Sequence, residues 1–355
     1  VSGPEGPWWE LVLVRWGGEH ARVVAHVIAP LLARDALGGR PVYVDTDWWQ
    51  GPHVSLCFRV TPEEAETLRA AGLVDRAQEL LTALGPGPET DPARHRELHG
   101  RLARYERRPG PLEPWLPDGR ALLRPRPPRE DGGGDSDLDR TVEQAHTRLL
   151  ETELTLFARA ARGERRVEAH ALDLLAGVAA RFTDSDLRAT YPSFASHAEA
   201  YLATDAAAGT RARWDEAYAR HRPALVRLLE QRTRQAAEGT LPADVTAVTD
   251  VLAAVADATD PLALFGGSAL PASGGALSSS AFHTSLSRNR GWQDAVRHDA
   301  WFARYRLVLN LAYRHLSKLG LSPHHRFYTC HLLTLAAQDL TRTTAADVLK
   351  GLSRA

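Results

Sequence analysis

Apolar residues alternate sides along residues 8–16, Leu11 and Leu13 on one face and Val12 and Val14 on the other, which predicts a β-strand. Over residues 19–37 the spacing lengthens to three and four (Val23, Val24, Val27, Ile28, Leu31, Leu32), predicting a helix closed by Gly38-Gly39. Pro30 falls inside that pattern and is expected to kink or split it, because it removes a ladder donor. Residues 41–48 and 53–60 read as two more strands around a short turn at Gln50-Gly51-Pro52. Thr61, Pro62 and Glu64 spell a capping box with proline at the first helical position, opening a helix that runs to about Leu84. This order makes a small mixed sheet with helices packed on it, an α+β arrangement.

Residues 91–108 predict a strongly charged helix, and 109–137 a loop rich in Pro, Gly and charge, with room for one short strand at 121–123. Beyond that the periodicity is helical, with breaks near Gly163, Asp184, Pro192 and Pro242. The expected organisation is a sheet-containing part over 1–137 and a mainly helical part over 138–355. Residues 259–280, rich in Gly, Ala, Ser and Pro, are expected to form a flexible loop. Helices resume from about Trp292 to Ser317, then over 323–340 and 344–352.

Charge narrows the function classes. Forty-three Lys and Arg against forty-four Asp and Glu leave a net charge of −1, so no overall positive field selects a nucleic acid. No apolar run has the length of a membrane span, and with only Cys57 and Cys330 there is no disulfide framework. A reduced, cytoplasmic chain is expected. No phosphate loop, dinucleotide fingerprint or Gly-x-Ser-x-Gly elbow occurs, and neither His324-His325 nor Cys330-His331 has ligand spacing for a metal. No cofactor and no metal are therefore expected. The segment 278–313 is the chemically dense one. It sets Ser285, Ser287, Asn289, Arg290, Trp292, Trp301, Tyr305, Asn310 and Tyr313 in the approach to a helix and along it. In an extended chain Ser285 and Ser287 face one side, and on a helix Tyr305 and Tyr313 lie near each other.

Three stretches, in order, resemble the C-terminal glutamate-elimination domain of lantibiotic dehydratases and its thiopeptide pyridine synthase relatives. They are Gly51-Pro52-His53-Val54-Ser55-Leu56-Cys57-Phe58, then Arg126-Pro127-Pro128-Arg129-Glu130-Asp131-Gly132-Gly133, then Ser285-Leu286-Ser287-Arg288-Asn289-Arg290. The likeness runs over nearly the whole chain. The elimination domains, as the resemblance implies, clamp a glutamyl carboxylate with arginines on the first strand and use a histidine in the last motif. Here those positions hold Ser55, Cys57 and Ser285, with Glu130 or Asp131 at a further arginine position.

What remains matches the pyridine synthases, for which the resemblance implies a formal aza-[4+2] cycloaddition between two dehydroalanines of an azole-bearing precursor peptide. On that reading Ser287 and Tyr313 polarise the amide and relay its proton, with Ser285 and Tyr305 behind them, and His53 is an acid for loss of water. Trp292 and Trp301 would stack on azoles, and Asn289, Arg290, Asn310 and Ser55 would contact the peptide. Arg101, Arg104 and Arg108, on one face of the charged helix, would hold an acidic leader peptide. The competing readings are a glutamate-elimination subunit of a split dehydratase and a non-catalytic leader-binding module.

Overall fold

β1 (Trp8–Val14) is the centre of a four-stranded sheet ordered β2 (Val42–Asp47), β3 (His53–Arg59), β1, β4 (Ala121–Pro125), with every pairing antiparallel. The computed structural model describes residues 6–34, 37–106, 111–127, 137–183, 186–204, 207–265 and 280–352, without the side chains of 101, 102, 104–106 and 352. Its residues divide into two units, Val1–Arg166 with Ser317–Gly320, and Val167–Leu316 with Leu321–Ala355.

In the first unit the strand alternation sets the core. Trp9, Leu11 and Leu13 of β1, Val54, Leu56 and Phe58 of β3, and Leu123 of β4 share one face with Val23, Val24, Val27, Ile28, Ala77 and Leu81 from the helices. Pro30 does not split its helix: His20–Val23 passes into a wide turn at Val24–Ile28 before Ala29–Leu32. A widened turn accommodates a proline ring that would clash with the carbonyl four residues back. Thr61 caps Pro62–Ala70 through the reciprocal bonds expected, Glu64 N–H to Thr61 Oγ1 at 3.3 Å and Thr61 N–H to Glu64 Oε2 at 2.8 Å. The outer edge of β4 is closed. Ala121 N–H bonds Gln78, the Leu123 carbonyl accepts from Arg69, and Pro125 has no N–H to offer.

The second unit is helical among its described residues. Pro323–Thr341 runs through its middle, packed by Val167–Arg181, Tyr191–Leu202 and Thr210–Glu238. It has buried residues on all sides, Phe327, Cys330, Leu332 and Ala336 among them, which is why its sequence shows no apolar stripe. Gly177 permits close approach of Ala243–Asp257, since a Cβ there would lie 2.6 Å from Val245 Cγ1. Part of the expected loop at 259–280 is the short helix Pro261–Phe265, and residues 266–279 lie outside the described residues.

Candidate active site

β3 turns His53, Ser55 and Cys57 away from the apolar core. Facing them across the ladder are Glu10 and Val12 of β1 and Tyr43, Asp45 and Asp47 of β2. This second face is polar and still buried: Glu10, Asp45, His53, Ser55 and Cys57 are all at most 4% exposed. A buried charge persists only when it is paired, and here Arg126 and Arg124 do the pairing. Arg126 contacts Cys57 Sγ and Asp45, lies 3.6 Å from Glu10 Oε2 and covers the Tyr43 ring at 5.4 Å. Burial disfavours its charge, but Cys57, Asp45, Tyr43 and Glu10 together hold it well above the usual arginine range. Arg124 donates to Glu10 Oε1 and Gln50 Oε1, each at 2.7 Å. Ser55 Oγ is buried with no partner among the described residues.

His53 Nδ1 lies 2.7 Å from the Gly51 carbonyl. A neutral ring there carries its hydrogen on Nδ1 and presents Nε2 as an acceptor, so the acid expected from the sequence requires the imidazolium form.

In the second unit the two tyrosines lie on the buried face of Ala300–Lys318. Tyr313 Oη is 3.2 Å from Cys330 Sγ, and its ring meets His197 edge-on at 4.6 Å and Arg326 at 5.3 Å. Tyr305 Oη reaches the Thr190 carbonyl at 3.5 Å, and its ring stacks on Trp301 at 5.5 Å and 4°. Burial, and then the neighbouring Cys330, push both phenols well above their ordinary value. Both are therefore protonated donors at neutral pH. Trp301 is 36% exposed with its Nε1–H on the Phe182 carbonyl, while Trp292 is half-buried against Phe302.

The serine motif is helical, not extended. Ala281–Arg288 is a helix, where residues two apart point about 200° from each other, so Ser285 and Ser287 do not share a side. Both are exposed, and Ser287 Oγ bonds the Thr284 carbonyl at 3.0 Å. Asn289 separates this helix from Arg290–His298: its Oδ1 caps Trp292 N–H at 3.0 Å and its Nδ2 bonds the Leu349 carbonyl. Both ends of that amide are used within the chain. The single helix expected from Trp292 to Ser317 is broken at Asp299, whose extended backbone ends Arg290–His298 before Ala300–Lys318 begins. Arg290 is exposed and Asn310 half-buried. Of the leader-binding candidates, Arg101 and Arg104 lie on Pro92–Glu106 with undescribed side chains, and Arg108 lies outside the described residues.

Sequence reasoning missed the groups around Tyr313. Ser196 Oγ lies 3.0 Å from His283 Nε2, and His197 is depressed to about 3 by burial, then by Arg326 and His283. Cys330, pushed up to about 11 by burial, is a neutral thiol. These residues come from three helices distant in sequence. The one local signal was Arg326 and Cys330 one helical turn apart. Among the described residues no three His, Cys, Asp or Glu side chains are grouped to hold a metal, and no single helix is long and apolar enough to cross a membrane.

Comparison with solved structures places this architecture. The chain is similar to the pyridine synthase TbtD from thiomuracin biosynthesis, at 26% identity and a TM-score of 0.75, covering 94% of this chain and 98% of that one. It shares its fold with TsrL, at 18% identity and a TM-score of 0.69, covering 97% and 98%. No curated protein matches it. The model of the lantibiotic biosynthesis dehydratase C-terminal domain matches residues 8–337, from the first strand into the central helix of the second unit. By that match, spanning both the sheet and the helices just described, the chain belongs to the family of lantibiotic biosynthesis dehydratase C-terminal domains.

Proposed function

We propose that the protein forms a pyridine ring in a thiopeptide precursor by formal aza-[4+2] cycloaddition, without a cofactor. The likeness to a thiomuracin pyridine synthase along almost the whole of both chains supports this. The observation that carries it against glutamate elimination is the buried face of β3. Ser55 and Cys57 stand there, and the nearest cation, Arg126, is already met by Asp45 and Glu10. A glutamyl carboxylate would have to displace two buried carboxylates from one guanidinium, forfeiting charge-assisted bonds of roughly 1.5–3 kcal/mol each.

The substrate carries two dehydroalanines. One, with the amide joining it to the preceding residue, moves its N–H proton to the carbonyl oxygen and becomes a 2-azadiene; the other supplies the alkene. Ring closure, loss of water and expulsion of the leader as a carboxamide give the pyridine. The two alkenes are distant in the peptide, so holding them together is the main task, worth roughly 7–11 kcal/mol when the geometry is good. Tyr313, a neutral donor, polarises the amide oxygen, with Ser287 relaying the proton and Tyr305 and Ser285 in support. His53 gives a proton to the departing water. Trp301, Trp292, Arg290, Asn310 and Ser55 contact the peptide. Asn289 caps the helix that carries Arg290 and Trp292.

Incubating the protein with a dehydrated, azole-bearing precursor and following mass should show a macrocycle and a leader carboxamide. Conversion of a glutamylated peptide instead would establish elimination, and leader binding with no conversion would establish a carrier. The leader is acidic on this reading and docks on Arg101, Arg104 and Arg108. Reversing all three to Glu should weaken leader binding and its salt dependence while sparing turnover of leader-free substrate.

A further inference from the structure

Arg326 is an unanswered cation. Arg15, Arg59, Arg126, Arg181 and Arg232, all partly or wholly buried, each meet a carboxylate. Arg326, half-buried on Pro323–Thr341, meets none among the described residues. Its guanidinium is held against two rings instead, 5.3 Å from the Tyr313 centroid and 5.2 Å from that of Phe327, and its Nε–H is buried with no acceptor among the described residues. The groups around it add no negative charge. His197 stands edge-on to the same Tyr313 ring. His283, joined to Ser196 through Nε2, has a buried Nδ1 with no partner among the described residues. Glu199, the carboxylate within electrostatic reach of His283, is taken by Arg211 in a two-point pair at 2.8 and 2.7 Å. His197 is accordingly kept neutral by burial and by Arg326 itself.

A planar, permanently charged fork held by aromatic faces, with no carboxylate among the described residues to neutralise it, is a receptor for an oxygen from outside the chain. We infer that Arg326 binds an amide carbonyl oxygen of the precursor peptide beside Tyr313 and stabilises the negative charge that oxygen gathers as the amide tautomerises. The identity of the ligand rests on the proposed function; the lack of a carboxylate partner for Arg326 among the described residues does not. In the step itself the amide nitrogen loses a proton, the carbonyl oxygen gains one, and Arg326 keeps all of its own. Donors preorganised toward such an oxygen act on the rate more than on substrate affinity.

The test uses full-length protein and the dehydrated, azole-bearing precursor. Arg326→Ala should lower kcat about 10²-fold or more with KM changed less than about threefold, the scale of one lost oxyanion donor. Millimolar guanidinium, but not ammonium, should restore part of that rate, which a merely structural arginine would not allow. Arg326→Lys should fall between, keeping the charge and losing the fork. Wild-type kcat in Arg326→Ala, or a loss that guanidinium leaves untouched, overturns the assignment. If Arg326→Ala does not fold, Arg326→Lys is decisive, and wild-type kcat there overturns it equally. If wild-type protein makes no pyridine, the proposed function fails, and calorimetric titration of the same peptide reads Arg326 alone. A two- to threefold weaker affinity in the variant supports an oxygen contact already made in the ground state, and equal affinity refutes it.

Discussion

Two tyrosines eight residues apart on one helix have different prospects because their hydroxyls have different partners. Tyr313 Oη has a thiol at 3.2 Å, whereas Tyr305 Oη has a carbonyl at 3.5 Å, the outer limit of a hydrogen bond. Both stay protonated through the neutral range, so each serves as a donor or relay and neither as a base. Tyr313→Phe should slow pyridine formation about 10²-fold, the scale of a lost acid–base group. Tyr305→Phe should slow it several-fold at most. Equal effects would move the chemistry away from Tyr313. The thiol partner offers a check that needs no substrate. Cys330 and Cys57 are fully buried, and Cys330 is pushed up to about 11 by burial, so it is not a thiolate at pH 8. Thiol titration should find no fast-reacting group in the native protein and two after unfolding in guanidinium; a fast native thiol that Cys330→Ser abolishes would mean the helices open near Tyr313.

At the scale of elements, local chemistry was legible and assembly was not. The capping box at Thr61, the turn before β3 and the alternation in β1 are written within a few residues each, and all appear as expected. Ser285 and Ser287 misled because a run of small hydroxyl residues fits a strand or a helix. Burial of Leu286 and the cap at Asn289 decide for helices here. Asn289→Ala should cost about 1 kcal/mol for the cap and a similar amount for the stranded Leu349 carbonyl. Asn289→Asp should recover the first part only, as thermal unfolding would show. Equal stability of the two variants would refute the division. No pattern in the sequence joined Lys318 to Glu153, which form a fully buried pair at 2.6 Å across 165 positions. Lys318→Met should destabilise by about 3–5 kcal/mol, and adding Glu153→Leu should restore much of it. Additive losses in the double variant would show that the pair itself is not the source.

Over the whole molecule, acid sensitivity should come from histidines kept neutral in both units. His20 is lowered to about 4 by burial and then by His53, and His99 to about 4 by burial and then by His95. His197 is lowered to about 3 by burial and then by Arg326. An unfolded histidine titrates near 6.5. From pH 6.5 down to about 4 the unfolded chain therefore binds protons that the fold refuses, and stability falls as pH falls. Above pH 6.5 the three contribute a constant amount. A histidine moved from 6.5 to about 4 costs on the order of 3 kcal/mol by the time pH 4 is reached. Carboxylates held low by their partners, such as Asp339 with Arg222, lose their contribution mostly below that window, so the two effects separate on the pH axis. The melting temperature should decline steadily between pH 6.5 and 4.5, and His20→Gln and His197→Gln should each flatten the decline. A melting temperature unchanged from pH 7 to 5 would mean that these rings gain protons without resistance, and that the polar clusters around them are open to water.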